Sequence, residues 1–287
     1  MKLCRFVPVK ESGVAPRLGL LRDLTLQVLP GGSDGLAGLL AEADPVGALA
    51  GLGWDRAAES FPLAEARLLA PLDRQEVWAA GVTYERSKRA RMEESGFSAS
   101  AYDRVYEADR PELFFKALPG KVSGPGEPVG VRTDSRWTVP EPELALVISA
   151  RGKVVGVTIG NDMSARDIEG ENLLYLPQAK IYRHSCALGP WIVLGCAEAE
   201  VRSWEIALSI RRRGAEVYAG STGLSRIRRG FDELAGFLCR SQELPHGAVL
   251  LTGTGIVPPD EFSLEAGDEV VIRVSGIGEL GNPVVRV

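Results

Sequence analysis

Two glutamates, Glu141 and Glu143, stand two residues apart at the mouth of an unbroken apolar run, Leu144-Ala145-Leu146-Val147-Ile148. In a strand, residues i and i+2 point to the same face. The two carboxylates therefore emerge side by side, and their repulsion calls for compensation. Carboxylate oxygens suit Mg²⁺, Mn²⁺ or Ca²⁺. A second apolar, β-branched run at 154–159 follows through Ala150-Arg151-Gly152-Lys153. A tight hairpin centred on Arg151-Gly152 brings Asp162 opposite Glu141. A slip of one residue would send that carboxylate to the other face. Two readings stand at this point: a cation site made by Glu141, Glu143 and Asp162, or the solvated face of an exposed strand.

The chain has 287 residues, 45% hydrophobic and 25% charged, which suits one large domain or a domain with a small appendage. A formal net charge of −5 leaves no electrostatic footprint for nucleic acid. No apolar run approaches the ~18 residues that span a bilayer. The first residues, Met1-Lys2-Leu3-Cys4-Arg5-Phe6, lack the pattern of a secretory leader. A cytoplasmic protein is expected, with neither membrane nor nucleic acid as partner. The four cysteines are widely spaced, without a C-x-x-C, which excludes zinc-ribbon and dithiol redox patterns. With two histidines, His184 and His246, and no G-x-S-x-G, Ser-His-Asp chemistry is disfavoured.

Residues 1–70 read as a small N-terminal domain: a strand at 1–9, a hairpin within 14–28, a helix through Leu36, Leu39 and Leu40, and a second helical piece after Asp44-Pro45. Residues 71–287 read as the main domain, the one that carries the carboxylate stretch and so the metal-binding, catalytic part if the cation reading holds. It has strands at 75–82, 110–116, 203–213, 248–251 and 269–274, and a helix over 230–240. The polar segment after Thr83-Tyr84-Glu85-Arg86 is either a surface helix or a lid. The Gly- and Pro-rich stretch 120–130 reads as loop. Many strands, few helices and much Gly and Pro predict a β-rich α+β fold.

Several short motifs recur in one order: Gly81-Val82-Thr83-Tyr84, Phe114-Phe115-Lys116, Glu141-Pro142-Glu143-Leu144, Asn161-Asp162-Met163-Ser164-Ala165-Arg166-Asp167, Lys180, Leu188-Gly189-Pro190-Trp191, Thr252-Gly253-Thr254 and Gly276-Ile277-Gly278. Together they resemble the fumarylacetoacetate hydrolase family over about three quarters of the chain. The resemblance implies a mixed β-roll and a divalent ion held by Glu141, Glu143 and Asp162. It also implies a substrate-facing Lys180 and substrate contacts from Tyr84, Arg86, Lys116, Thr252 and Thr254, with a dimeric or tetrameric assembly. Many hydrolytic members carry a histidine-glutamate pair in the lid; here Tyr84 is followed by Glu85-Arg86-Ser87-Lys88-Arg89, with no histidine. The segment 168–179 resembles a branch that dehydrates 2-keto-3-deoxy sugar acids.

The implied reaction is metal-dependent dehydration of a 2-oxo acid of that class. A hydrolase or decarboxylase acting on an acylpyruvate-like 2-oxo acid is the alternative. Removing a proton from C3 and a hydroxyl from C4 needs a base and an acid. Lys180 takes one role, and Glu112, Glu169 and Glu171 are candidates for the other. Arg166 and Asp167 are expected to pair behind the aspartate.

Overall fold

The glutamate strand, Pro142–Ile148, is buried along its whole length. Leu144, Leu146 and Ile148 pack into the main core, whereas Ala145 faces a second apolar cluster and Val147 a third. A strand covered on both faces needs apolar residues at every position, which explains the continuous run. Each fully buried Leu or Ile contributes about 1.5–3 kcal/mol of transfer free energy.

This computed structural model describes residues 1–11, 13–29, 35–52, 59–85 and 104–287. The glutamate strand pairs antiparallel with the aspartate strand, Val154–Asp162, in a register that sets Pro142 against Asn161. The Asp162 amide donates to the Glu141 carbonyl at 3.0 Å, so the two residues lie opposite one another as the hairpin predicts. A bulge beside Ile148 absorbs one residue near the turn and leaves the far end in register.

Ten strands run across the large sheet in the order Ser60–Pro62, Thr25–Val28, Arg17–Arg22, Lys2–Pro8, Cys186–Leu194, Val154–Asp162, Pro142–Ile148, Ala248–Leu251, Glu76–Gly81 and Glu112–Ala117. Two more, Ala66–Leu69 and Val122–Ser123, attach off this path. The second sheet runs Ala215–Gly223, Glu205–Arg212, Glu269–Val274, Gly278–Arg286 and Val129–Val131. Both sheets mix antiparallel and parallel pairs. The main core lies between them: Leu144, Leu146 and Ile159 on one side meet Ile206, Leu208 and Ile272 on the other. This is the strand-rich α+β architecture expected.

The N-terminal section extends the large sheet, because Lys2–Pro8 pairs with Cys186–Leu194. Its first helix, Gly35–Ala41, receives its N-terminal cap from a distance: Asp73 Oδ2 accepts from the Leu36 amide at 2.8 Å. Stretch 120–130 is not all loop, since Val122–Ser123 and Val129–Val131 each pair with a strand remote in sequence. The strands Ala215–Gly223 and Gly278–Arg286 also escaped the sequence reading, because their Gly, Asn and Pro content imitates turns. The Phe231–Leu238 helix falls where its apolar spacing placed it.

Candidate active site

Glu141, Glu143 and Asp162 offer carboxylate oxygens within 4.8 Å of one another, and all three residues are buried. Burial, followed by the charges of Asp162 and Glu141, pushes the Glu143 carboxyl well above its usual range. The Gly253 amide donates to Glu143 Oε2 at 2.6 Å and fixes that side chain. Gly253 holds φ at +86°, and a Cβ there would come 2.2 Å from Thr83 Oγ1, so the turn requires glycine.

Lys180 closes the cluster. Its Nζ lies 3.1 Å from Glu141 Oε2 and 3.2 Å from Asp162 Oδ2, and donates to Ser164 Oγ at 2.6 Å. The Phe114 ring packs against the same ammonium, its centroid 5.7 Å away. The lysine arrives at the end of a short helix, Leu176–Lys180, which follows the Arg166–Glu171 helix and a 3₁₀ turn at Leu173–Tyr175. Segment 168–179, marked out in the sequence, thus forms one wall of the cleft. Glu112 also lines the cleft, its carboxylate lying over Gly81 where a Cβ would meet Glu112 Oε2 at 2.1 Å.

The cleft is lined by Ala80, Gly81, Val82, Glu112, Phe114, Glu141, Glu143, Asp162, Glu169, Leu176, Lys180, Gly253 and Thr254. Five of these residues carry carboxylates, set against Lys180 in the cleft and Lys116 and Arg166 behind it. With all five ionised the surplus is two negative charges, which a divalent cation offsets. All-oxygen donors of this kind suit a hard ion such as Mg²⁺, and the strained Glu143 carboxyl is the group such an ion would relieve. Neither histidine of the chain lines the cleft: His184 lines a separate cavity beside Arg183, and the His246 carbonyl accepts from Gln75.

The structure sorts the other expected residues. Thr254 lines the cleft, whereas the Thr252 hydroxyl is fully buried and donates to the Leu144 carbonyl at 2.9 Å. Tyr84 is buried and lines a separate cavity with Glu85 and Tyr106. Lys116 is fully buried behind Asp162 and does not reach the cleft. Glu171 is exposed, and Glu169 takes its place in the wall. Arg86 lies outside the described residues. Arg166 and Asp167 do not pair with each other: Arg166 Nε lies 3.5 Å from Glu141 Oε1, and Asp167 accepts from Ser135 Oγ and the Arg136 amide. Ser164, given no role of its own in the sequence reading, was signalled by its i+2 spacing from Asp162, the relation that linked Glu141 to Glu143.

Residues 76–285 match the family model described as fumarylacetoacetate (FAA) hydrolase C-terminal, and residues 1–71 match that described as Rv2993c-like, N-terminal. A probable 2-keto-3-deoxyxylonate dehydratase of Haloferax volcanii is 48% identical over 217 residues, covering 76% of this chain and 74% of its own. A 2-dehydro-3-deoxy-D-arabinonate dehydratase of Saccharolobus solfataricus is 42% identical over 239 residues, covering 82% and 80%. A solved 2-keto-3-deoxy-D-arabinonate dehydratase, complexed with magnesium and 2,5-dioxopentanoate, superposes with a TM-score of 0.80 at 36% identity, covering 100% of this chain and 99% of that one. With its family model matched from 76 to 285 and its carboxylate cluster at the centre of that match, the chain belongs to the fumarylacetoacetate hydrolase family.

Proposed function

We propose that this protein is a divalent-metal-dependent dehydratase that removes water from a 2-keto-3-deoxy sugar acid, such as 2-dehydro-3-deoxy-arabinonate, and yields 2,5-dioxopentanoate. The observation that carries this reading is the pairing of a buried three-carboxylate cluster with Lys180 and two flanking acids, Glu112 and Glu169, in a cleft without histidine. The similarity to dehydratases supports it.

Glu141, Glu143 and Asp162 would hold the ion, which when bound polarises the 2-oxo group as a Lewis acid. The residues of the chain do the rest. Lys180 and Glu112 both line the cleft and divide the proton transfers at C3 and at the C4 hydroxyl. The C3 proton and the C4 hydroxyl leave together as water. A proton then passes from C5 to C3, and the resulting C4–C5 enol takes a proton at C4 and releases its hydroxyl proton as the aldehyde forms at C5. Thr254 orients the substrate, and the apolar faces of Phe114 and Leu176 exclude water from the cleft. The lack of an imidazole at the cleft disfavours the hydrolytic alternative, which needs an activated water.

The division into an N-terminal domain at 1–70 and a catalytic domain at 71–287 is part of the same proposal, as is a cytoplasmic homodimer or homotetramer. Four free cysteines suit a reducing compartment, and Leu174, 83% exposed, offers apolar surface for assembly. Purified protein with Mg²⁺ and 2-keto-3-deoxy-arabinonate should release an aldehyde. Cleavage of acylpyruvates with no aldehyde from the sugar acid would reverse the assignment.

A further inference from the structure

Lys116 is among the largest fully buried side chains, and three groups surround its ammonium. It donates to the Met163 carbonyl at 3.1 Å and to the Lys180 carbonyl, and it pairs with Asp162 Oδ1. An ammonium carries three protons and no acceptor. Two of them go to backbone carbonyls and the ammonium also faces a carboxylate, all of these groups buried in the protein and Lys116 itself absent from the cleft lining. The three partners belong to different parts of the site. Met163 follows the aspartate strand, Asp162 Oδ1 is the carboxylate oxygen turned away from Lys180, and the Lys180 carbonyl ends the helix that delivers Lys180.

We infer that Lys116 is a positioning residue: it locks the Lys180 helix terminus to Asp162, so that Lys180 Nζ and Asp162 Oδ2 meet the cleft in one arrangement. The Glu112–Ala117 strand that carries it also carries Glu112 and Phe114, which line the cleft, so a single segment registers the lock and part of the cleft lining. Stability alone does not account for the group. Buried ion pairs are often replaced by apolar residues without loss, whereas a compact ammonium is suited to hold two backbone carbonyls and a carboxylate together at one point.

The functional part of this inference rests on the proposed roles of Lys180 and Asp162; the positional part does not. The test is Lys116→Met, with Lys116→Gln as the second variant because it keeps two donors on a shorter stem. Three quantities are read well below the melting temperature: Mg²⁺ binding by calorimetry, amide hydrogen exchange over residues 176–182, and kcat and KM for aldehyde release. Exchange over 176–182 should rise at least tenfold while Mg²⁺ still binds. The value of kcat should fall about 100-fold with KM within threefold, the scale expected for a misplacement of about 1 Å. Lys116→Gln should lose less than Lys116→Met. Unchanged exchange, or a raised KM with kcat preserved, would overturn the inference, the second result placing Lys116 on the substrate. Exchange and Mg²⁺ binding need no substrate, so they remain readable if the dehydratase assignment itself fails.

Discussion

The Lys180 ammonium donates to the Ser164 hydroxyl at 2.6 Å, and Ser164 in turn donates its own proton to the Asp162 carbonyl at 3.1 Å. The hydroxyl is thereby oriented, with its lone pairs toward the lysine. Ser164→Ala should leave the fold and Mg²⁺ binding intact and lower kcat about 10-fold with little change in KM, consistent with losing one hydrogen bond to a charged group. Steady-state kinetics of aldehyde release, beside metal titration of the same preparation, check this. Full retention of kcat would show that the Ser164 contact does not steer Lys180.

Glu143 gives the site a pH signature. Its folded pKa lies well above the ordinary 4.5, first through burial and then through Asp162 and Glu141. In that window the folded chain holds a proton that the unfolded chain has released, so stability falls as pH rises from 4.5 through the raised value. Metal-free protein, prepared with chelator, should therefore melt progressively lower across this range, and Glu143→Gln should flatten the slope. Mg²⁺ should raise the melting temperature most at the alkaline end, where the carboxyl is already ionised. A flat profile for the metal-free wild type would contradict the buried-carboxyl account.

Gly253→Ala should be costly. The substitution meets both a positive φ and the Thr83 hydroxyl, and it disturbs the amide that holds Glu143. A loss of about 1–3 kcal/mol of stability is expected, with weaker Mg²⁺ binding because Glu143 loses its anchor. Calorimetric melting and metal titration measure the two effects separately.

Among the acidic candidates, Glu112→Gln should lower kcat by about 100-fold or more, the usual scale of a general acid or base, and Glu169→Gln by about 10-fold, the scale of one lost polar contact in the cleft wall. Glu171→Gln should remain within twofold of wild type, because that side chain is exposed and away from the cleft. Aldehyde release by the three variants under one set of conditions decides the point. A strong effect at Glu171 with none at Glu169 would reverse the assignment of the wall.

The metal-site candidate was legible in the sequence because it depends on short-range rules. Strand period two placed Glu141 beside Glu143, and the position of the turn placed Asp162 across from Glu141. The apolar runs likewise marked the central strands and the Phe231–Leu238 helix. The walls of the cleft were not legible in the same way. Glu169 and Glu171 lie on one short helix about 200° apart around its axis, so only one can face the cleft, and its docking decides which. The Gly253 amide reaches Glu143 across 110 residues, and Lys116 reaches Lys180 across 64. Those contacts depend on how remote segments pack rather than on local spacing. The sequence by itself determined which carboxylates share a face; only the tertiary structure decided that Lys116 stands behind them, Lys180 among them and Glu169 over them, because burial and orientation at those positions are set by neighbours far away in the chain.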